Sequence, residues 1–457
     1  MRRIALVSAL VGAVLVAPWS AAASTTDVAA AGQKQCDVPA PGEPFETAAP
    51  EEVGLDPAQL DVATGFASSR LRTSVMVFRH HCLVGTGPGN LLGDLVPLDL
   101  WSSTKSVVSL AVGVAVDRGL LDLDDPIDLY LPPGWGDAER RAITVRQLLQ
   151  ENSGLKTSII TEAGTVALDA NIVRQGLALP LEHEPGTYFE YGQRNPDIAA
   201  YVVGRAVGED IQDFVQREIF TPIGIRPGSY IWLRDRAGNT YGHAHLIMRP
   251  TEFARVGMLL ANDGRWADRQ IVSADYLGAA TGPSPTNACY GMLFWVNRTP
   301  CITPDVPSRR TFDREPLPGF GSDAFATVGF LQQNTFVSPS LGTQVTWMGV
   351  AGDVSPDPQT LLTANVSSEL YHEFFRRLLP AYTDVDLPDL GPYEDVVSFE
   401  VTPETVADIR VALGALGVGE FAPQGCLLAT CDGRLETRGL AMNLAAVLGF
   451  VTTAGSG

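Results

Sequence analysis

The segment from Val107 to Val116 is apolar on nearly every side and carries no charged residue. An amphipathic surface helix has a polar face, so a helix that is apolar all round must be enclosed by other structure. The segment therefore predicts a helix buried inside a domain large enough to surround it. With 457 residues, of which 45% are apolar, the chain can form such a core in two or three structural units.

A lysine stands at the entrance to this predicted helix. The chain has three lysines, and Lys105 lies three residues after Ser102 in the run Trp101-Ser-Ser-Thr-Lys105. This spacing places a hydroxyl and an amine side by side on one helical face. Burial disfavours the ammonium form, and a neutral amine can take the serine's proton, which makes the pair a candidate nucleophile and base. The alternative is a capping serine beside a lysine that reaches solvent.

The first residues have the organisation of a secretory signal. A basic start at Arg2-Arg3 precedes an apolar stretch up to Ala17, and Ala21-Ala22-Ala23 supplies small residues for cleavage. We expect cleavage after Ala23 and a secreted protein, extracellular or periplasmic, with a Pro- and Ala-rich lead over residues 24–50. The general secretory route and the twin-arginine route both remain open. No cysteine follows the cleavage site, so a lipoprotein anchor is not expected.

The six cysteines form an even set, which in an oxidising compartment favours disulfides. Six cysteines allow 15 full connectivities. Cys289 with Cys301 and Cys426 with Cys431 would each close a short loop. Cys36 and Cys82 remain and are expected to form the third bond.

Charge and motif content exclude several classes of function. The formal net charge is −20, so nucleic acids and anionic membranes are unsuitable partners. His243 and His245 alternate as on a strand and could be metal ligands or polar lining of a site. Because no carboxylate or cysteine completes a metal site, we expect lining, with no metal and no cofactor. The apolar stretch from Gly439 to Thr453 is short for a bilayer span and predicts a docking helix.

Periodicity predicts an α+β fold with a central antiparallel sheet flanked by helices, an all-helical region and a C-terminal appendage. We expect one domain over residues 51–380 and a linker with the appendage over residues 381–457. The expected strands cover residues 74–85 as a pair, 289–296, 324–330, 334–338 and 343–350. The expected helices, besides the buried one, cover residues 144–150, 197–207, 210–219, 250–262 and 369–379.

Several ordered motifs together resemble the penicillin-recognising serine hydrolase superfamily. This group holds D,D-peptidases, class C β-lactamases, related carboxylesterases and aminohexanoate-dimer hydrolases. The resemblance spans roughly residues 50 to 380 and implies a β-lactamase/D,D-peptidase-like fold. The chain is nearest to the carboxylesterase and aminohexanoate-dimer hydrolase branch. The matching segments are Ser102-x-Thr-Lys105, Gly119-Leu-Leu-Asp-Leu-Asp-Asp-Pro126, Ile143-Thr-Val-Arg-Gln-Leu-Leu-x-x-x-Ser153-Gly154, Pro185-Gly-Thr-x-Phe-x-Tyr191 and Phe214 to Gly224.

The resemblance implies a role for each site residue. Ser102 would attack a carbonyl with Lys105 as its base, and Tyr191 would relay the proton to the leaving group. The backbone N–H groups of Ser102 and Phe330 would form the oxyanion hole. Further expected substrate contacts are Gln193, Thr327, Gly329 and His243.

Two departures from the family pattern change the expected substrate. The usual Tyr-Ser-Asn is Tyr191-Gly192-Gln193 here, so an amide is kept and a hydroxyl is lost. Thr327 stands where the third motif usually begins with lysine or histidine. A substrate carboxylate would thereby lose a charge-assisted contact worth about 2 to 3 kcal/mol.

The sequence therefore predicts a secreted serine hydrolase for a small ester or amide, without a strict need for a substrate carboxylate. One alternative is a D,D-peptidase or β-lactamase, against which both departures argue. Another is an inactive relative that binds a peptide or cell-wall fragment. The oligomeric state stays open.

Overall fold

A computed structural model describes residues 33–164, 169–303, 308–351, 369–394, 400–401 and 407–454. The predicted signal segment lies outside these described residues. Residues Lys34–Gly457 form one compact unit, and the predicted boundary near residue 380 stays a prediction.

The strands fall into one large sheet and four small ones. In chain order they are β1 Arg72–Arg79, β2 Cys82–Thr86, β3 Leu98–Asp99, β4 Ile231–Trp232, β5 Leu246–Met248, β6 Arg265–Trp266, β7 Arg269–Gln270, β8 Trp295–Val296, β9 Cys301–Thr303, β10 Ser308–Phe312, β11 Phe325–Gly329, β12 Gln333–Ser338, β13 Thr343–Gly349, β14 Glu400–Val401, β15 Cys426–Leu427, β16 Thr430–Cys431 and β17 Arg434–Leu435.

The α-helices of the described residues range from single turns to five turns. They are α1 Pro57–Ser69, α2 Asn90–Gly93, α3 Thr104–Asp117, α4 Ala138–Arg141, α5 Val145–Leu149, α6 Ile159–Gly164, α7 Ile172–Gly176, α8 Arg194–Val207, α9 Ile211–Val215, α10 Pro250–Ala261, α11 Ala274–Ala280, α12 Glu369–Leu378, α13 Ile409–Ala415 and α14 Arg438–Ala454.

The central sheet has six strands in the order β2-β1-β13-β12-β11-β8, and neighbouring strands are antiparallel. Helices α1, α10 and α12 pack on this sheet or on one another beside it. The helices from α4 to α9 form the helical region between β3 and β4. This arrangement confirms the predicted α+β architecture.

The buried helix predicted from residues 107–116 is α3. Twelve of its residues, from Thr104 to Ala115, are buried. It contacts α8 and α11, so helices enclose the apolar segment that the sequence left without a polar face.

One predicted strand is wrong over most of its length. Residues 289–296 were expected to be a strand, but only Trp295–Val296 pairs with the sheet. Leu293 adopts a left-handed conformation with φ of 64°, and its N–H donates to the carbonyl of Leu149 in α5. The Tyr290 and Trp295 rings pack edge to face at 4.8 Å. Tertiary packing of the aromatic rings therefore overrides the strand propensity of this segment.

The six cysteines form three disulfides, Cys36–Cys82, Cys289–Cys301 and Cys426–Cys431. These are the pairs expected from the sequence. The first joins the start of the described chain to β2 of the central sheet.

Helix α14 binds the chain just after β4 through a side chain that forms the hydrogen bonds of a neighbouring strand. Asn443 Oδ1 accepts from the backbone N–H of Arg234 at 3.0 Å, and its Nδ2 donates to the Arg234 carbonyl at 3.0 Å. The predicted docking helix is thereby formed and docked. In the part of the chain that the structure describes, none of the helices combines the length and apolarity that crossing a bilayer requires.

A glycine lets β11 reach the turn before α3. A Cβ at Gly329 would lie 2.1 Å from the carbonyl oxygen of Leu100, so the backbones touch where a side chain would stand. We expect Gly329→Ala to force the strand and the turn apart, lowering the free energy of unfolding by about 1 to 3 kcal/mol. Urea unfolding measures this.

Gly278→Ala is the matched control, because this glycine lies in helix α11 and a Cβ added there would meet nothing within 4 Å. It should raise stability by about 0.5 to 1 kcal/mol. A Gly329→Ala protein as stable as the wild type would contradict the close approach.

Candidate active site

Ser102 and Lys105 meet at the start of α3. A 3-10 turn over Trp101–Ser103 runs directly into the helix, which keeps the two residues one turn apart on the same face. Lys105 Nζ lies 3.1 Å from Ser102 Oγ. The hydroxyl is therefore within hydrogen-bond reach of the amine that the sequence analysis assigned as its base.

The amine of Lys105 is enclosed almost completely. Lys105 is 1% exposed, and its Nζ donates to Gln193 Oε1 at 2.8 Å. It also lies 4.4 Å from the centre of the Tyr191 ring. Among the described residues, no carboxylate lies within 4.0 Å of Nζ to form an ion pair. A buried lysine without a paired carboxylate is unusual and is typical of functional sites.

Tyr191 belongs to a cluster of buried aromatic rings. Its ring centre lies 5.7 Å from that of Trp295 and 6.0 Å from that of Tyr290. Phe189 packs against the same two rings. This cluster fixes the Tyr191 ring beside the amine of Lys105, so the structure brings Ser102, Lys105, Tyr191 and Gln193 together.

Two buried carboxyl groups that the sequence analysis missed hold the turn after Tyr191. Glu151 Oε2 accepts from the N–H of Gly192 at 3.3 Å, and Glu162 Oε2 accepts from the N–H of Gln193 at 2.8 Å. Asn195 Nδ2 also donates to Glu151 Oε2, at 2.8 Å. The sequence gives only a weak signal for Glu151, which is an ionisable residue two positions after the apolar end of a capped helix.

Burial raises the pKa of both carboxyl groups. For Glu151 the pKa is raised to about 8, although the nearby Lys105 charge and the Asn195 amide act in the opposite direction. For Glu162 burial outweighs the charge of Arg194, and the pKa is again above its ordinary value. A neutral carboxylic acid at Glu151 is therefore favoured around pH 7.

Phe330, the second predicted oxyanion donor, follows β11 and lies beside the Ser102 turn. Its ring centre is 5.3 Å from that of Trp101. Trp101 has a φ of 48°, which is a strained left-handed conformation for a bulky residue. The N–H of Trp101 donates to Asp99 Oδ1 at 2.8 Å, and this bond helps to hold the strained turn.

Thr327 and Gly329 lie on β11, the strand next to this turn. Thr327 is buried, and its Oγ1 accepts from the N–H of Thr335 on β12 at 3.3 Å. The N–H of Gly329 donates to Asn334 Oδ1 at 3.2 Å. Both residues are thus bonded within the sheet, and their contact with substrate stays a prediction.

His243 is buried behind the start of α8. Its Nδ1 lies 2.9 Å from Asp197 Oδ1. Burial lowers the pKa of His243 to about 4, so its neutral ring donates from Nδ1 to the aspartate. His245 makes the same kind of contact with Asp99 at 2.6 Å, and its ring lies 5.4 Å from Trp101. The contact of His243 with substrate stays a prediction.

Over the described ranges, no group of three or more His, Cys, Asp or Glu side chains is arranged to hold a metal ion. Lys105 and Gln193 supply an amine and an amide, which suit proton transfer and hydrogen bonding.

Similarity to known proteins extends over part of the chain. "Monacolin J acid methylbutanoyltransferase" of Aspergillus terreus is 32% identical over 152 residues, which cover 28% of this chain and 37% of that protein. "Esterase EstB" of Burkholderia gladioli is 32% identical over 150 residues, covering 29% and 38%. The match thus spans little more than a third of the length of these curated relatives.

Solved structures share the fold at lower identity. A candidate beta-lactamase from Bacteroides dorei DSM 17855 has a TM-score of 0.54 and 18% identity, over 71% of this chain and 99% of that one. A candidate 6-aminohexanoate-dimer hydrolase from Bacillus anthracis has a TM-score of 0.53 and 14% identity, over 76% and 88%. The family model described as Beta-lactamase matches residues 96–349, more than half of the chain, and the protein therefore belongs to the beta-lactamase family.

Proposed function

We propose that this protein is a serine hydrolase that acts on small ester or amide substrates through an acyl-enzyme on Ser102. The observation that carries the proposal is the buried amine of Lys105, which lies 3.1 Å from Ser102 Oγ and has no carboxylate within 4.0 Å among the described residues. In the proposal, this amine takes the proton of the Ser102 hydroxyl.

In the first step, Ser102 Oγ attacks the substrate carbonyl carbon while its proton passes to Lys105 Nζ. A new Oγ–C bond forms and the carbonyl oxygen becomes an oxyanion. The N–H groups of Ser102 and Phe330 stabilise this charge. The close approach of Gly329 to Leu100 supports this assignment, because it brings the two backbone segments together.

In the second step, the bond to the leaving group breaks and the leaving group takes a proton. Tyr191 is the donor that relays this proton from Lys105. Lys105 Nζ lies 4.4 Å from the centre of the Tyr191 ring, so the relay requires the phenol hydroxyl and the amine to move closer when substrate is bound. Water then attacks the acyl-enzyme by the same route in reverse and releases the acid.

The immediate surroundings of the site favour a substrate without a carboxylate. Thr327 occupies the place of the family's usual cation, and its hydroxyl accepts from a neighbouring strand. A D,D-peptidase or β-lactamase substrate would find no charged partner at this residue. The relatives' names, an esterase and an acyltransferase, support chemistry on ester carbonyls.

We also propose that the protein is secreted. Three disulfides support an oxidising compartment, because such bonds persist outside the reducing cytosol. The signal-like start of the sequence, which lies outside the described residues, supports export.

Substrate class is tested with a short-chain nitrophenyl ester and a chromogenic cephalosporin. We expect the wild type to hydrolyse the ester and to leave the cephalosporin intact. Ser102→Ala should abolish ester turnover, because no other hydroxyl lies within hydrogen-bond reach of Lys105 Nζ among the described residues. Cephalosporin turnover would favour a β-lactamase, and silence on both substrates would favour an amide substrate or the inactive binding relative.

Lys105→Arg tests the base. A guanidinium stays protonated, so it cannot take the serine's proton, and we expect kcat to fall by about 10² to 10⁴-fold. The matched control is Lys156→Arg. Lys156 is equally buried but pairs with Glu182 at 2.9 Å, and arginine can keep that pair. Retained activity in Lys105→Arg would overturn the mechanism.

Gly192→Ser restores the family's usual residue after the tyrosine, yet we expect it to lower kcat/KM. A Cβ at Gly192 would lie 2.5 Å from Thr157 Cγ2, so the turn and the Thr157 side chain must separate, and we expect this to disturb the contact of Gln193 with Lys105. Thr157→Ser removes that methyl group, and the double variant should recover activity. An active Gly192→Ser single variant would show that the turn accepts a side chain.

A further inference from the structure

Glu151 occupies a backbone position that glycine or asparagine would fill with less strain. Helix α5 ends at Leu149, and Glu151 follows its cap with a φ of 52°. This left-handed conformation ends many helices and favours residues with little or no Cβ conflict. The chain therefore has a strained, buried glutamate at a position where glycine would be unstrained, which indicates that the glutamate side chain has a function.

The side chain supports the turn that contacts Lys105. Glu151 Oε2 accepts from both the N–H of Gly192 and Nδ2 of Asn195. Ser153 Oγ in turn donates to Asn195 Oδ1 at 2.7 Å. Gly192 directly precedes Gln193, whose Oε1 accepts from Lys105. Glu151 is thus connected to the candidate base through Gly192 and Gln193, and it needs no direct contact with substrate.

The two carboxyl oxygens of Glu151 have different surroundings. Oε2 accepts two hydrogen bonds, whereas Oε1 is buried with no partner among the described residues. An ionised carboxylate would leave a charged oxygen buried and unpaired, which is costly. A neutral acid fits better, because its carbonyl oxygen accepts both bonds and its hydroxyl oxygen carries the proton.

Charged and titratable groups face Glu151 from three segments. Lys105 of α3 favours the ionised form, and Glu162 of α6 disfavours it. Tyr290, in the segment before β8, is electrostatically coupled to the same carboxyl group. Burial outweighs the lysine, which is why the pKa of Glu151 is raised to about 8.

We propose that Glu151 is a positioning residue that acts as an uncharged carboxylic acid and holds the Tyr191–Gln193 turn against Lys105. Its catalytic consequence rests on the proposed function, whereas its protonation can be measured without substrate. Glu151 takes no proton from the reacting groups.

Comparing Glu151→Gln with Glu151→Ala distinguishes the effect of a charge on Glu151 from the effect of its hydrogen bonds to Gly192 and Asn195. Glutamine keeps an acceptor oxygen for Gly192 and Asn195 and is permanently neutral, so it should keep kcat within the same order of magnitude. In the plot of kcat/KM against pH, the pH at which Glu151→Gln loses half of its activity on the acidic side should equal that of the wild type. Alanine leaves both donors unpaired, and kcat should fall by up to about a hundredfold with little change in KM.

Glu190→Gln is the control, because Glu190 also has a pKa raised by burial, to about 7, but its carboxyl group is bonded to neither Gly192 nor Gln193. It should leave the profile unchanged. If Glu151→Gln moves the acid limb to lower pH by a unit or more, an ionised Glu151 had been stabilising the protonated base, and the proposal is overturned.

Infrared difference spectroscopy gives a readout that does not depend on turnover or on the alanine variant folding. At pH 7 the wild type should show a protonated carboxyl C=O band that Glu151→Gln removes. Absence of that difference overturns the proposal. If the wild type shows the band but does not hydrolyse the ester, Glu151 is neutral as proposed, and the result contradicts only the proposed hydrolase function.

Discussion

The enclosed amine of Lys105 is the feature on which the other parts of the site depend. Removing an amine from water is costly, and the groups that enclose this one are an amide, an aromatic ring and a hydroxyl, none of which carries a charge. These groups come from the α3 start and from the 191–193 turn. The helical region and the aromatic cluster serve to bring them together, so the proposed chemistry is a property of packing and not of one motif.

The turn that carries Gln193 differs from the family pattern but is supported by a second layer. Gly192 leaves room for the Thr157 methyl group, and the carboxyl groups of Glu151 and Glu162 bind consecutive N–H groups of the turn. The turn that lacks the family's hydroxyl is therefore held by two buried acids, which keep Gln193 in contact with Lys105.

The sequence predicted those parts of the site that depend on local spacing. Ser102 and Lys105 lie one helical turn apart, α3 is apolar on nearly every side, and the long strands are rich in β-branched and aromatic residues. Tyr191 could be assigned only through the family resemblance. Glu151 and Asn195 meet through tertiary packing, which leaves no periodic signal. The segment 289–296 was mispredicted because contacts with α5 and between its own aromatic rings decide its conformation.

The contact between Asn443 and Arg234 gives the end of the chain a mechanical connection to the nucleophile. Arg234 follows β4, which pairs with β5, and β5 pairs with β3 just before Trp101. Helix α14 therefore occupies one margin of a small sheet whose opposite margin leads into the Ser102 turn. For anyone engineering this protein, helix α14 is a structural support, and removing it would expose the edge of the sheet that precedes the Ser102 turn.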